Sequence, residues 1–120
     1  MHNRTLFLTI AICYSGRLDI VRAVKELSHQ VRLGILRPED ITEDMISAHL
    51  SLTHLSLHRQ QPDIVIRTSG EQRLSNFLLW ESAYSELYFT DVLWPDFDDD
   101  TLEAALLDYS TRTRRYGKGH

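Results

Sequence analysis

PDIVIRTSGEQRLSNFLLWESAYSELYFTDVLWPDF, residues 62–97, is the stretch from which the rest of the chain is read. It opens on Asp63-Ile64-Val65-Ile66, a β-branched run between Pro62 and Thr68-Ser69-Gly70, and this pattern predicts a short buried strand. Arg67 then falls at the strand's carboxyl end. In open parallel α/β sheets ligands bind along that rim, so a permanent cation there is a candidate binding residue. Further along come Arg73 and then Ser75, directly before Asn76-Phe77-Leu78-Leu79-Trp80. Phe77, Trp80 and Tyr84 recur at helical spacing, which predicts a helix starting at Asn76 with Ser75 as its N-cap. Two guanidinium groups, a hydroxyl and the free N–H groups of a helix start are together equipped to hold a phosphate or diphosphate. Gly70 lets the backbone turn tightly beneath them. The competing reading is structural: strand-end arginines also pair with carboxylates, and Glu71 is near enough in sequence to serve.

Composition narrows the alternatives. At 120 residues the chain is at most one domain with a modest core, and 42% hydrophobic with 25% charged residues is ordinary for a globular chain. A net charge of −4 argues against bulk electrostatic binding of nucleic acid, so the arginines are local tools. The single cysteine, Cys13, allows no internal disulfide and points to a reducing compartment. No apolar run approaches the roughly 20 residues that span a bilayer. Arg4 followed by Leu6-Phe7-Leu8-Thr9-Ile10-Ala11-Ile12 resembles the start of a signal peptide, but Tyr14-Ser15-Gly16-Arg17 and a helical pattern follow directly. The preferred reading is a buried parallel strand over about Thr5 to Cys13.

From Asp19, as a cap, a helix is expected with Ile20, Val24, Leu27 and Val31 as its apolar stripe and Gly34 at its end. Thr42 reads as the N-cap of a short helix to about Leu50, with Ile41 and Ile46 as a hydrophobic staple. His54 and His58 stand at i, i+4 with His49 upstream, a pair able to bind a transition metal, yet no third ligand sits at a supporting spacing. Glu86-Leu87-Tyr88-Phe89 reads as another strand, and Phe97 as an anchor for the turn that follows it. Asp98-Asp99-Asp100 invites comparison with aspartate-rich magnesium motifs, but capping of the next helix is the stronger reading. Leu102, Ala105, Leu106 and Tyr109 are that helix's expected buried face. The fold class is therefore α/β, part of an open, mainly parallel sheet flanked by helices.

The run Ile66 to Trp80, with Ala83-Tyr84-Ser85-Glu86-Leu87 and Leu93-Trp94-Pro95-Asp96-Phe97, resembles the signature of the cis-prenyltransferases, the undecaprenyl and dehydrodolichyl diphosphate synthases. The resemblance covers nearly the whole chain but only the carboxyl-terminal half of a family member, so residues 1–120 are expected to be a single partial domain. The family's amino-terminal Asp-Gly-Asn motif and its product-tunnel helices have no counterpart here. The resemblance implies condensation of isopentenyl diphosphate with an allylic diphosphate to a polyprenyl diphosphate of the dolichol or undecaprenol type. It implies that Arg67, Arg73 and Ser75 are catalytic and hold the isopentenyl diphosphate head, with Glu71 beside them. It implies Glu86 as a magnesium ligand, and an Arg115-Tyr116-Gly117 tail, with Arg115 and Gly117 reaching the diphosphate of a neighbouring subunit. A homodimer, or a heterodimer with another family subunit, follows, with no nucleic-acid partner. The product is membrane-associated, and the location is cytoplasmic or membrane-peripheral, or plastid or endoplasmic reticulum in a eukaryote. Tyr14-Ser15-Gly16-Arg17 resembles the family's Tyr-Gly-Gly-Arg turn with serine for the first glycine, and it is not counted among the sites. The chain is expected to be inactive alone. The alternatives are a non-catalytic partner subunit, against which the retained Arg67, Arg73, Ser75 and Glu86 argue, and an unrelated phosphate-binding α/β domain.

Overall fold

A computed structural model describes residues 6–55 and 57–119. The elements run α1 (Gly16–Arg32), a 3-10 turn (Pro38–Asp40), α2 (Glu43–Ala48), α3 (Leu57–Gln60), β1 (Ile64–Arg67), β2 (Glu86–Phe89), a second 3-10 turn (Trp94–Asp96) and α4 (Asp99–Ser110). The strands β1 and β2 pair in parallel, with Ile64 opposite Glu86 and Arg67 opposite Phe89. The expected parallel α/β arrangement is therefore present. Its extent is smaller than expected.

The strand expected at Thr5 to Cys13 is not formed over residues 6–13, and Thr5 itself lies outside the described residues. Leu6, Phe7, Leu8, Ile10 and Ile12 are 61–80% exposed, and the sheet has two strands among the described residues. A strand needs a ladder partner, and composition alone cannot supply one. The core is correspondingly slight, with Ala23, Leu27, Leu50 and Ala105 as its buried apolar residues. A radius of gyration of 17.3 Å exceeds the about 13.6 Å expected for a compact chain of this length.

Helix ends follow the local chemistry more closely. At the end of α1, Gly34 at φ +72° lets its own N–H donate to the Val31 carbonyl and that of Ile35 to the Gln30 carbonyl, the paired bonds of a Schellman turn. Thr42 caps α2 by accepting from the Met45 N–H, and Asp98 caps α4 by accepting from the Thr101 N–H at 2.9 Å. The start of α1 differs from expectation: Ser15 is the cap, and Asp19 is buried one turn inside. Its carboxylate accepts from the Ser51 N–H at 2.9 Å, the Ser51 hydroxyl at 2.8 Å and Arg22 at 2.7 Å. With Asp19 turned inward, the buried stripe becomes Gly16, Asp19, Ala23 and Leu27, and Val24 is left 49% exposed. In α4 only Ala105 of the expected face is buried, while Leu102 and Leu106 are 40% and 48% exposed.

Candidate functional site

Arg67 ends β1 and turns back into the loop it precedes. Its Nη1 donates to the Arg73 carbonyl at 2.6 Å and to Ser75 Oγ at 2.7 Å, so guanidinium and hydroxyl are already together. The loop's base is tied to the end of β2, where Ser69 N–H donates to the Val92 carbonyl and Gly70 N–H to the Thr90 carbonyl. Gly70 sits at φ +73°, and a Cβ there would lie 3.1 Å from Asp91 Oδ1, so the tight turn expected of it is present. Arg73 forms its ion pair with Glu71, and both side chains are well exposed. Such surface pairs contribute at most about 1 kcal/mol, so a diphosphate can displace Glu71 from Arg73 at little cost. Beneath the two arginines lies a cavity of about 240 Å³ lined by Val65, Ile66, Leu74 and Phe77.

The helix expected from Asn76 is absent, and Ser75 is not an N-cap. Ser75, Asn76 and Leu78 have φ of 48°, 67° and 46°, and a helix cannot run through left-handed residues. Each such non-glycine residue costs on the order of 1–3 kcal/mol and persists only where its surroundings hold it. Asn76 supplies that hold. Its carbonyl accepts from the Gly16 N–H, its Oδ1 from the Arg17 N–H, and its Nδ2 donates to Ser15 Oγ, all at 2.8 Å. The aromatic spacing that suggested a helix serves three separate contacts. Phe77 meets Tyr14 edge-on at 5.7 Å, Trp80 Nε1 donates to Ser47 Oγ of α2, and Tyr84 packs on Tyr116 at 5.9 Å.

Without that helix the site loses its expected backbone donors, and α1 does not replace them. The amides of Gly16 and Arg17 go to Asn76, that of Leu18 to Ser15 Oγ, and that of Asp19 to the Ser15 carbonyl. No first-turn donor of α1 is left for an anion. The cationic equipment is therefore Arg67, with Ser75 Oγ bonded to it, and Arg73.

The remaining expected site residues stand at the other end of the sheet. Glu86 begins β2, and because the strands are parallel and in register it lies roughly 10 Å along the strand direction from the Arg67 end. Its Oε2 accepts from Arg112 at 3.0 Å. The tail turns at the same end, where Arg114 bonds Asp63 and the Tyr84 carbonyl and lies 4.7 Å over the Tyr116 ring. This leaves Arg115 exposed, with Gly117 at φ +75° completing the turn. Among the described residues no group of three His, Cys, Asp or Glu could hold a metal ion. With Glu86 held by Arg112 at the far end, the residues of one copy do not fit a magnesium bound between Arg67 and Glu86. His49 is engaged structurally, its Nδ1 donating to the Met45 carbonyl at 2.7 Å and its Nε2 facing Gln30. His54 Nε2 lies 3.2 Å from Thr9 Oγ1, and the side chain of His58 lies outside the described residues.

The sequence reading missed two features. Asn is, among non-glycine residues, one of those that most readily take a left-handed backbone, so Ser75-Asn76 carried a turn signal that the aromatic spacing outweighed. The second is a buried acidic group: Glu81 is 3% exposed with an Oε1 that has no hydrogen-bond partner, and the Tyr14 hydroxyl is buried and likewise unpartnered among the described residues. Burial, then the charges of Glu81 and Asp19, push Tyr14 up to about 12. Burial, with a smaller contribution from Asp19, raises Glu81.

Comparison with known proteins identifies the frame that holds these groups. The family model describing undecaprenyl diphosphate synthases matches residues 1–117. The chain belongs to the cis-prenyltransferase family. Among family members, an isoprenyl transferase of Streptococcus thermophilus is 54% identical over 116 residues, covering 97% of this chain and 47% of the relative. A (2E,6E)-farnesyl-diphosphate-specific ditrans,polycis-undecaprenyl-diphosphate synthase of Salmonella paratyphi A is 51% identical, with 97% and 44% covered. The crystal structure of a lavandulyl diphosphate synthase from Lavandula x intermedia, in complex with dimethylallyl diphosphate, superposes with a TM-score of 0.83 at 45% identity. That superposition covers 89% of this chain and 44% of the synthase. The cis-prenyltransferase chain described here thus spans about half the length of the relatives it matches, and no described helix is long and apolar enough to cross a membrane.

Proposed function

We propose that this chain supplies the isopentenyl diphosphate-binding half of a cis-prenyl chain-elongating enzyme. The observation that carries this reading is the Arg67 guanidinium bonded to Ser75 Oγ, with Arg73 beside it, over an apolar cavity at the carboxyl rim of β1. Arg67, Ser75 and Arg73, once released from Glu71, grip the diphosphate; Val65, Leu74 and Phe77 take the five-carbon tail. The allylic partner's C–O bond breaks with its diphosphate as leaving group. A new C–C bond forms to the isopentenyl unit, which loses a proton as the cis double bond appears. The arginines stabilise charge on the bound diphosphate throughout, the kind of preorganised electrostatics that dominates such catalysis.

The names of the relatives support this reading, since each belongs to an enzyme that makes or transfers a prenyl group. Magnesium would supply further charge neutralisation on the diphosphates, and Glu86 serves it only where a second polypeptide brings a diphosphate to the amino end of β2. Arg115 and Gly117 share that end, which supports a homodimer or a heterodimer with another family subunit. The exposed Trp94, Leu102, Leu106 and Leu107 offer apolar surface for such contact. The single partial domain is inactive alone, and its long-chain product partitions to membrane.

The test is to purify the chain and measure binding of isopentenyl diphosphate, with inorganic diphosphate as competitor, alongside turnover with an added allylic diphosphate. Binding without turnover is expected. Absence of binding overturns the assignment of the arginine rim, and robust product formation overturns the claim that a second polypeptide half is needed. A non-catalytic subunit would show neither binding nor a response to loss of Arg67.

A further inference from the structure

We propose that Asn76 is a positioning residue for the diphosphate site: by clamping the start of α1 to the turn after Ser75, it keeps the Ser75 hydroxyl on Arg67 before any ligand arrives. This rests on the reading of Arg67, Arg73 and Ser75 as the diphosphate-binding group. Asn76 touches neither arginine. Three of its polar groups are instead spent on one short stretch, with its carbonyl, Oδ1 and Nδ2 meeting Gly16 N–H, Arg17 N–H and Ser15 Oγ. Those contacts fix a peptide whose φ of 67° follows directly on Ser75 at φ 48°. With both residues pinned in the left-handed region, the Cα–Cβ direction of Ser75 is set toward Arg67, and the rotamer its hydroxyl adopts lies 2.7 Å from Arg67 Nη1.

The approach is close enough to dictate the partner. A Cβ on Gly16 would stand 2.8 Å from the Asn76 carbonyl oxygen, so the clamp closes only on a glycine. Tyr14, one residue beyond Ser15, lays its ring against Phe77 at 5.7 Å and backs the clamp with apolar contact. The Tyr14-Ser15-Gly16-Arg17 turn therefore acts on the site through Asn76, since its own amides are occupied. In a binding site, holding the groups in place before the ligand arrives lowers the ordering cost of association.

Backbone amide NMR of the chain, titrated with inorganic diphosphate, reads the claim in two ways. Asn76→Gly keeps the left-handed backbone accessible and removes the side-chain clamp, so it separates the two roles. Asn76→Ala and Asn76→Gly are both expected to weaken diphosphate binding about tenfold, the scale of one or two lost hydrogen bonds, and to lose hydrogen-exchange protection at Arg17. Asn76→Asp, which keeps an acceptor for the Arg17 N–H, is expected to retain that protection. Leu50→Ala, a core truncation outside the loop, is the stability control, expected to lower the melting temperature and leave the Kd of the folded molecules unmoved. Undiminished diphosphate affinity in folded Asn76→Gly overturns the positioning role while leaving the arginine site standing. A wild-type chain that binds no diphosphate removes the arginine site first, and this proposal with it.

Discussion

Replacing Arg67 with alanine separates a ligand-binding arginine from a structural one, because the structure bounds both effects. The structural loss is two hydrogen bonds, to the Arg73 carbonyl and Ser75 Oγ. Arg73 and Ser75 are both exposed, so water replaces the guanidinium and the stability cost stays under about 1 kcal/mol. The binding loss is larger. A charge-assisted bond from a half-buried guanidinium to a diphosphate contributes about 1.5–3 kcal/mol, which at about 2 kcal/mol is a roughly 30-fold rise in Kd. Arg67→Lys keeps the charge and loses the fork that spans Ser75 and the ligand, so it falls between wild type and alanine. Arg73→Ala, a more exposed cation already shared with Glu71, is expected to cost about 1 kcal/mol, or roughly fivefold. Calorimetric titration with inorganic diphosphate at two ionic strengths gives these constants, the higher salt weakening the Arg73 contribution more than that of Arg67. A Kd within twofold of wild type for folded Arg67→Ala would falsify the assignment of this rim as the anion site.

Two further outcomes follow from local geometry. Gly16→Ala is expected to destabilise the chain by about 1–2 kcal/mol in denaturant titration, although alanine ordinarily gains up to about 1 kcal/mol over glycine within a helix, because its Cβ would meet the Asn76 carbonyl at 2.8 Å; a stabilised variant would show that α1 and the turn are not in contact. Glu81 has a folded pKa raised by burial, so its favourable protonated form is fully present below the usual carboxylate range, and stability is lost as pH rises through the raised value. Glu81→Gln is therefore expected to raise the melting temperature at pH 7–8 and to leave it unchanged at pH 4, and equal shifts at both would refute burial as the cause.

What could be read from the sequence was whatever a few neighbouring residues decide. The Thr42 and Asp98 caps and the Gly34 turn each rest on contacts within five residues, and each is present; the β1 run is present because β2, itself a legible run, supplies its ladder. The misplaced elements depend on distant partners. Residues 6–13 have the composition of a covered strand, but among the described residues no strand pairs with them. The stripe of α1 is shifted because Ser51, far along the chain, takes both oxygens of Asp19. At Asn76 two local rules conflict, aromatic spacing for helix and Ser-Asn for a turn, and the contact with Gly16 decides for the turn. Of the site, Arg67, Arg73, Ser75 and Glu71 could be grouped from the sequence because one loop holds them. That Glu86 stands apart from them could not be read there, since it follows from strand register.

Parallel strands in register put like ends on one rim, so the carboxyl end of β1 and the amino end of β2 necessarily face opposite ways. Arg67 belongs to the first, and Glu86, Asp63 and the Arg115 turn to the second. While Arg112 keeps Glu86 in its ion pair and Arg114 keeps the tail against Asp63 and Tyr116, one copy cannot gather all of these around a single diphosphate. On the proposed reading, a centre that uses both groups is assembled between polypeptides. The exposed apolar side chains at residues 6–12 and along α4 are the surface that such a proposed assembly would cover.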